Sequence, residues 1–309
     1  MIVCNAANQE KVLSWLKAIA SKKYIIDKNY PAREVKASVN IKNLKDASAQ
    51  DERKIDIALQ GPASGFILKK LVDENLWENI KRLEKNEFVE GELAGKNTII
   101  SRTGYTGEDM GFEFYLHPED ASIIWNLILE KGREFEVKPC GLGARDSLRV
   151  EAGLPLHGHE LAGRHQINPI EAGYGAFVKF HKPFFIGREA LLKKEKKREK
   201  KIIRFRLKSS YGRMIRSEDP VVDKQGRYIG RVTSCALAKD FQVGLAFVDE
   251  RIQEGEEIAI FPLPRGRFQE KSAENLSEGD RTVLPQEAIV LPRFPEKIDE
   301  EKSPCIPGT

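Results

Sequence analysis

Two stretches of this 309-residue chain gather the residue types that do chemistry. The first is Gly104-Tyr105-Thr106-Gly107-Glu108. Its two glycines, three apart, allow positive φ and leave room for a flat ligand, and the tyrosine between them can present a ring face or a hydroxyl. Taken alone, the same pattern is also an ordinary hairpin turn. The second stretch runs from Gly141 to Gly153 and reads GLGARDSLRVEAG. It predicts a helix with Arg145 and Arg149 one turn apart and Asp146 between them. Glu151 falls at its C-terminal end, where the helix dipole disfavours a negative charge. A carboxylate there is either exposed, salt-bridged to Arg145 or Arg149, or matched to a ligand edge that offers two adjacent N–H donors.

Other chemistry is poorly supported. His157 and His159 have no third ligand at metal-binding spacing, so no metal is expected. Cys4, Cys140, Cys235 and Cys305 lie far apart without a Cys-x-x-Cys pair, which fits a reduced cytoplasmic setting; Cys140, before an apolar helix start, is expected to be buried. Lys and Arg total 51 against 47 Asp and Glu, and much of that small excess sits in KKEKKREKK at 193–201. No aromatic residues interleave with these charges, so the run reads as a solvated helix end rather than a nucleic-acid surface. No window approaches the roughly 18 apolar residues of a membrane span.

The elements that must carry these residues follow from periodicity. Residues 2–4 predict a short strand, already under way at the start of the chain, with Asn5 as cap for an amphipathic helix from Glu10 to Ala20. Strands are expected around a charged loop over 34–60, ending at Gln60-Gly61-Pro62, which launches a helix from Ala63 to Val72. Phe88 to Arg102 predicts two strands joined by a turn at Gly95; Phe112, Phe114 and Leu116 alternate as a further strand, and a helix starts at Pro118. Gly143 to Leu154 is the helix bearing Glu151, stopped by Gly153 and Pro155. Short strand and turn are expected over Phe177–Lys179 and Phe184–Gly187, then a helix into the lysine run. After residue 201, short strands with frequent Gly and Pro predict a small β barrel. The expected division is therefore 1–200, 201–295 as the barrel, and a loose, disordered tail over 296–309.

The two chemistry-bearing stretches, with Leu156-His157-Gly158-His159-Glu160-Leu161, Asn168 to Tyr174, Phe185 to Leu191 and Ile57 to Pro62, resemble the aminomethyltransferase family, the folate-dependent T-protein of the glycine cleavage system. Val232-Thr233-Ser234 and Gly244-Leu245-Ala246 resemble its C-terminal landmarks, so the likeness covers roughly residues 2–294. The resemblance implies an α+β fold: a folate-binding region followed by a C-terminal β barrel, with the ligand pocket between those parts. It implies tetrahydrofolate as acceptor and a lipoylated, H-protein-like carrier as partner, with no nucleic acid and no membrane. The activity implied is transfer of a one-carbon unit from the aminomethyl-lipoyl group to tetrahydrofolate, with release of ammonia. Glu151 matches the glutamate that binds the pterin through its 2-amino group and N3–H. Tyr105, Tyr174, Arg188 and Arg293 are the further folate-binding positions, with Lys179, His181 and Lys182 as additional cations for the acidic folate tail.

Two departures set the alternatives. Family members carry a longer segment before residue 2, about 85 residues by the family pattern and within an ordinary domain size, so either the start lies upstream or the chain is a trimmed paralogue. The segment Asn5 to Trp15 matches the family's Asn-Ala…Glu-Lys-Asp motif, but the position of its aspartate is Val12. Valine can neither move a proton nor steady a developing positive charge, and Glu10 faces elsewhere on the helix. This keeps open a folate-binding paralogue with weak or no transferase activity. A related folate-dependent demethylase and, on the lysine run alone, an RNA-modification helper are further alternatives.

Overall fold

A computed structural model of the chain describes residues 1–262, 277 and 284–295. The expected tail over 296–309 lies outside the described residues. The chain divides into two compact units, one formed by Met1–Gly104 with Glu108–Pro139, the other by Tyr105–Gly107 with the described residues from Cys140 onward.

The first unit is built on an antiparallel sheet of β1 (Ile55–Gln60), β2 (Phe88–Leu93), β3 (Lys96–Ser101) and β4 (Gly111–Leu116) in the order β1-β4-β3-β2. Alternation sets the register: Leu59 faces Phe112, Ile57 faces Phe114, and Ile100 faces Phe114 from the other side. The β2–β3 hairpin closes on Ala94 and Gly95, both at positive φ, the backbone that a two-residue turn between twisted strands requires. Helices α1 (Gln9–Ala20), α2 (Ser64–Lys69), α3 (Glu74–Lys81) and α4 (Ala121–Lys131) complete the unit. Its core joins Trp77, Ile80, Ile67 and Leu68 to Phe112, Phe114 and Ile124.

Helix α3 carries signals that the sequence reading passed over. Asp73 caps it by accepting from the Leu76 N–H at 2.8 Å, and Leu76, Trp77 and Ile80 form its buried stripe. Residues 2–4 form no strand, and between Ser21 and Lys54 the structure has one 3-10 turn (Ala47–Glu52) where strands were expected. An extended segment becomes a strand only with a neighbour to bond, and among the described residues β1, at the sheet edge, pairs with β4 alone. Asn5 caps a short 3-10 turn (Ala6–Asn8), accepting from the Ala7 N–H at 3.0 Å, whereas the N-cap of α1 is Asn8.

The second unit contains α5 (Leu142–Glu151), α6 (Arg188–Glu195) and six strands: β5 (Lys200–Leu207), β6 (Pro220–Val222), β7 (Tyr228–Ala238), β8 (Phe241–Asp249), β9 (Glu257–Ile260) and β10 (Gln286–Leu291). The strands close into a barrel in the order β10-β5-β8-β7-β6-β9, so the expected α+β fold with a C-terminal barrel is the one observed. Phe205, Val232, Ala246, Val248, Ile260 and Val290 fill its interior. Ile202, Leu245 and Phe247 form a separate cluster with Ile167 and Ala172. The barrel begins at Lys200, close to the expected boundary, while the compact unit that contains it also takes in the chain from Cys140. The lysine run forms the end of α6 and the turn into β5, where Arg198 pairs with Glu250 at 2.7 Å. Residues 177–187 make a 3-10 turn (Gly175–Phe177) and turns, not strand. Cys140 is exposed, contrary to expectation. Gly141, the N-cap, is extended, so Cys140 precedes the helix instead of sharing its apolar face.

Candidate functional site

Helix α5 packs on β7 and β8. Arg149 and Val150 are its buried residues, and Glu151, the last, is exposed. Residues two apart lie on different faces of a helix, so Arg149 going inward leaves Glu151 outward. Arg149 is fully buried. Its guanidinium donates to Asp146 Oδ1 (2.8 Å), Glu160 Oε2 (2.7 Å), Ser234 Oγ (2.8 Å) and the Leu154 carbonyl (3.3 Å). The pairing of Glu151 with Arg149 that the spacing permitted is therefore not made. Arg145 lies over the Tyr105 ring instead, 5.7 Å from its centroid.

Three guanidinium groups meet the carbonyls at the end of α5. Arg204 Nη1 donates to Glu151 O at 2.8 Å, Arg293 Nη1 donates to Gly153 O, and Arg149 reaches Leu154 O. Helix C-termini leave carbonyls without intrahelical donors and carry partial negative charge, and three cations offset both. Burial lowers the affinity of Arg204 for its proton, while the carboxylates of Glu151 and Glu254 act the other way. Burial likewise pushes Arg293 down to about 10, with Glu160 and Tyr174 opposing. Both stay cationic at neutral pH.

The barrel supplies the surface beneath. Arg204 on β5, Leu245 on β8 and Ser234 on β7 are in register, forming one row across three strands. A register shift between Val232 and Ser234 makes a bulge at Thr233, the kind of irregularity that re-aims a strand's side chains. The Ser234 hydroxyl donates to Glu160 Oε1 at 2.7 Å, accepts from Arg149 and lies 3.3 Å from His159 Nδ1. Glu160, fully buried, also accepts from the Leu156 N–H at 3.0 Å. Among the described residues no group of three or more His, Cys, Asp or Glu is placed to hold a metal ion.

Tyr105 and Gly107 close on the same helix end. The Tyr105 hydroxyl donates to the Pro155 carbonyl, and Gly107 has φ +93° with no room for a side chain against Ala152. Burial, together with the adjacent Tyr174 hydroxyl, pushes the Tyr105 phenol above its ordinary range. Tyr174 stacks on Phe294 at 6.0 Å and meets Phe177 edge-on at 5.4 Å. Arg293 lies over Phe294 and donates to Ala172 O at 2.9 Å. In the first unit, Gln60 of the Gln-Gly-Pro turn donates to the carbonyls of Thr103 (3.0 Å) and Phe112 (3.2 Å), and Gly104 and Gly111 leave space for its amide.

Of the residues expected from the sequence, Tyr105, Tyr174, Arg293 and the end of the helix bearing Glu151 come together. Arg188 is half-buried and donates to the Phe180 carbonyl through Nε (3.3 Å) and Nη2 (2.9 Å). Val12 is half-buried on α1. The sequence reading set Arg149 beside Asp146 and quoted Glu160 and Ser234 within family segments, but it did not bring these three together and it gave Arg204 no role, because the partners are distant in the chain. A groove of about 330 Å³ on the barrel, lined by Lys208, Lys224 and Glu257, includes none of the expected site residues.

A mixed helix-and-sheet unit and a unit with a closed antiparallel barrel, on which a helix ending in an exposed glutamate is tied by arginines, define an α+β protein with a C-terminal β barrel. The family model of the GCVT N-terminal domain matches residues 1–182, and the chain belongs to that family. It is 40% identical over 264 residues to an aminomethyltransferase of Caldanaerobacter subterraneus subsp. tengcongensis, a match that covers 84% of this chain and 63% of the relative. With an aminomethyltransferase of Halalkalibacterium halodurans the identity is 44% over 197 residues, 63% of this chain and 46% of the relative. The crystal structure of glycine cleavage system aminomethyltransferase T from Bartonella henselae superimposes with a TM-score of 0.60 at 27% identity, over 78% of this chain and 59% of that one. The chain thus spans less than two thirds of the length of these relatives. Among the described residues no helix is long and apolar enough to cross a membrane.

Proposed function

We propose that the chain is a cytoplasmic, folate-dependent aminomethyltransferase of the glycine cleavage type. It transfers a one-carbon unit from an aminomethyl-lipoyl group on an H-protein-like carrier to tetrahydrofolate, releasing ammonia. The observation that carries this reading is the Glu151 carboxylate: exposed, not bonded to Arg149, and at a helix end held by three guanidinium groups. A carboxylate of this kind fits the 2-amino and N3–H donors of a pterin as a bidentate acceptor. In this reading Tyr105, which bonds Pro155 just past the helix end, and Tyr174 offer aromatic surface to the pterin, Arg293 holds the helix end, and Arg188 serves the acidic tail of the folate. The relatives named aminomethyltransferase support the reaction type.

Calorimetry with tetrahydrofolate and an assay of folate-dependent ammonia release from the loaded carrier test this reading together. Glu151→Gln, which can accept at only one of the two positions, is expected to weaken tetrahydrofolate binding by at least about tenfold. Unchanged binding in that variant would refute the role given to Glu151. Val12, standing where the family has aspartate, favours a second reading, binding with little or no turnover. Tight binding without ammonia release would select it.

A further inference from the structure

Among the described residues, none accepts from one donor edge of Arg204. Arg204 is buried, with 8% of its surface exposed. Among the described residues it makes one hydrogen bond, from Nη1 to Glu151 O at 2.8 Å. Its Nε is buried without a partner. In a planar guanidinium, Nε–H and the N–H of Nη2 point along one edge as a fixed fork that suits an oxygen acceptor. Buried donors are almost always satisfied in folded proteins, and one left open carries a standing penalty that an incoming acceptor removes. This edge belongs to the residue that holds the backbone of Glu151, and its charge is felt together with that carboxylate.

The ring that the proposed function assigns to Glu151 presents three groups in a row: a 2-amino donor, the N3–H donor, and the oxo group at position 4. A carboxylate takes the two donors and leaves the oxo group needing a donor at its side. We propose that Arg204 supplies it, its Nε–H and Nη2–H edge reading the 4-oxo group while Glu151 reads the adjacent N–H pair. Arg204 is thereby a specificity-determining residue that distinguishes a 4-oxo pteridine from a 4-amino one, because a 4-amino group would set N–H against N–H. The inference rests on the proposed role of Glu151.

The test compares binding of tetrahydrofolate and its 4-amino-4-deoxy analogue to the full chain by calorimetry. Arg204→Met is expected to weaken tetrahydrofolate by about ten- to hundredfold, the range for a hydrogen bond to a charged group, and to leave the analogue within a few-fold. Equal weakening of both ligands would mean that Arg204 only caps the helix, and no change in either would mean that water satisfies the edge; each overturns the proposal. Arg204→Lys keeps the cation and loses the fork. If the Met variant does not fold, a reduced oxo preference in the Lys variant supports the proposal and an unchanged preference overturns it. Glu151→Gln separates the two levels. If it weakens tetrahydrofolate while the Arg204 variants keep the oxo preference, only the Arg204 assignment falls. If it has no effect, the reading of Glu151 falls and this inference falls with it.

Discussion

Arg149 and Glu160 form an ion pair of 2.7 Å in which the arginine side chain is 1% exposed and the glutamate fully buried. Moving two charges out of water is expensive, and their attraction offsets it only when the remaining donors and acceptors are also used. Here they are: Arg149 also serves Asp146, Ser234 and the Leu154 carbonyl, and Glu160 serves Ser234 and the Leu156 N–H. The pair thus joins helix α5, the following loop and strand β7.

Replacing one member should therefore be far worse than its surface equivalent. Arg149→Met leaves Glu160 charged and buried with a single cation removed, and is expected to destabilise the protein by about 3–5 kcal/mol. The double variant Arg149→Met, Glu160→Leu should lose much less than the sum of the single losses, since no uncompensated charge remains. Denaturant midpoints of the four proteins measure this, and additive losses would contradict it.

Gly104 should tolerate no side chain while Gln60 keeps its place. A β-carbon at position 104 would overlap the Gln60 amide, so Gly104→Ala is expected to destabilise by about 1–3 kcal/mol. Adding Gln60→Ala to that variant removes the obstacle and should recover part of the loss. A double-mutant cycle with no coupling between the two positions would show that the glycine serves another purpose.

Cys235 should make the protein less stable in alkali. Burial pushes its thiol from 9.0 to about 12, so the folded state holds the proton more tightly than the unfolded chain. The stabilisation from this group is complete below pH 9 and is lost as pH rises from 9 towards 12. The stability difference between the native protein and Cys235→Ala should be flat from pH 7 to 8.5. Above that it should fall, by at most about 1.4 kcal/mol per pH unit. A difference still constant at pH 11 would place the thiol in a more solvated setting.

Val12→Asp places a carboxylate where the sequence resemblance puts the family's aspartate. If the rest of the site is competent, ammonia release is expected to rise by about 10²–10⁴-fold, the contribution of a positioned general acid or base. Tetrahydrofolate affinity measured alongside distinguishes a gain in turnover from a gain in binding. An unchanged rate with intact binding would show that this position does not limit the reaction.

The sequence by itself determined the α+β class, the barrel over the last third, and the helix that ends in Glu151. These rest on local rules: alternation in β1, β4 and β5, the hairpin turn at Gly95, and the Gly153 and Pro155 stop. The prediction for residues 2–4 failed because a strand depends on a partner that no local pattern reveals. Cys140 was misjudged because an extended Gly141 set it outside the helix. Only the tertiary structure decided which charges pair. Within its helix Arg149 meets Asp146, as the spacing allows, but its buried partners Glu160 and Ser234 are 11 and 85 residues away. The barrel register places Ser234 and Arg204 in one row, where Ser234 meets Arg149 and Glu160 and Arg204 meets the Glu151 carbonyl. Charge pairing in a protein depends on distances in space, and sequence spacing reports those distances only within a helix turn or a strand pair.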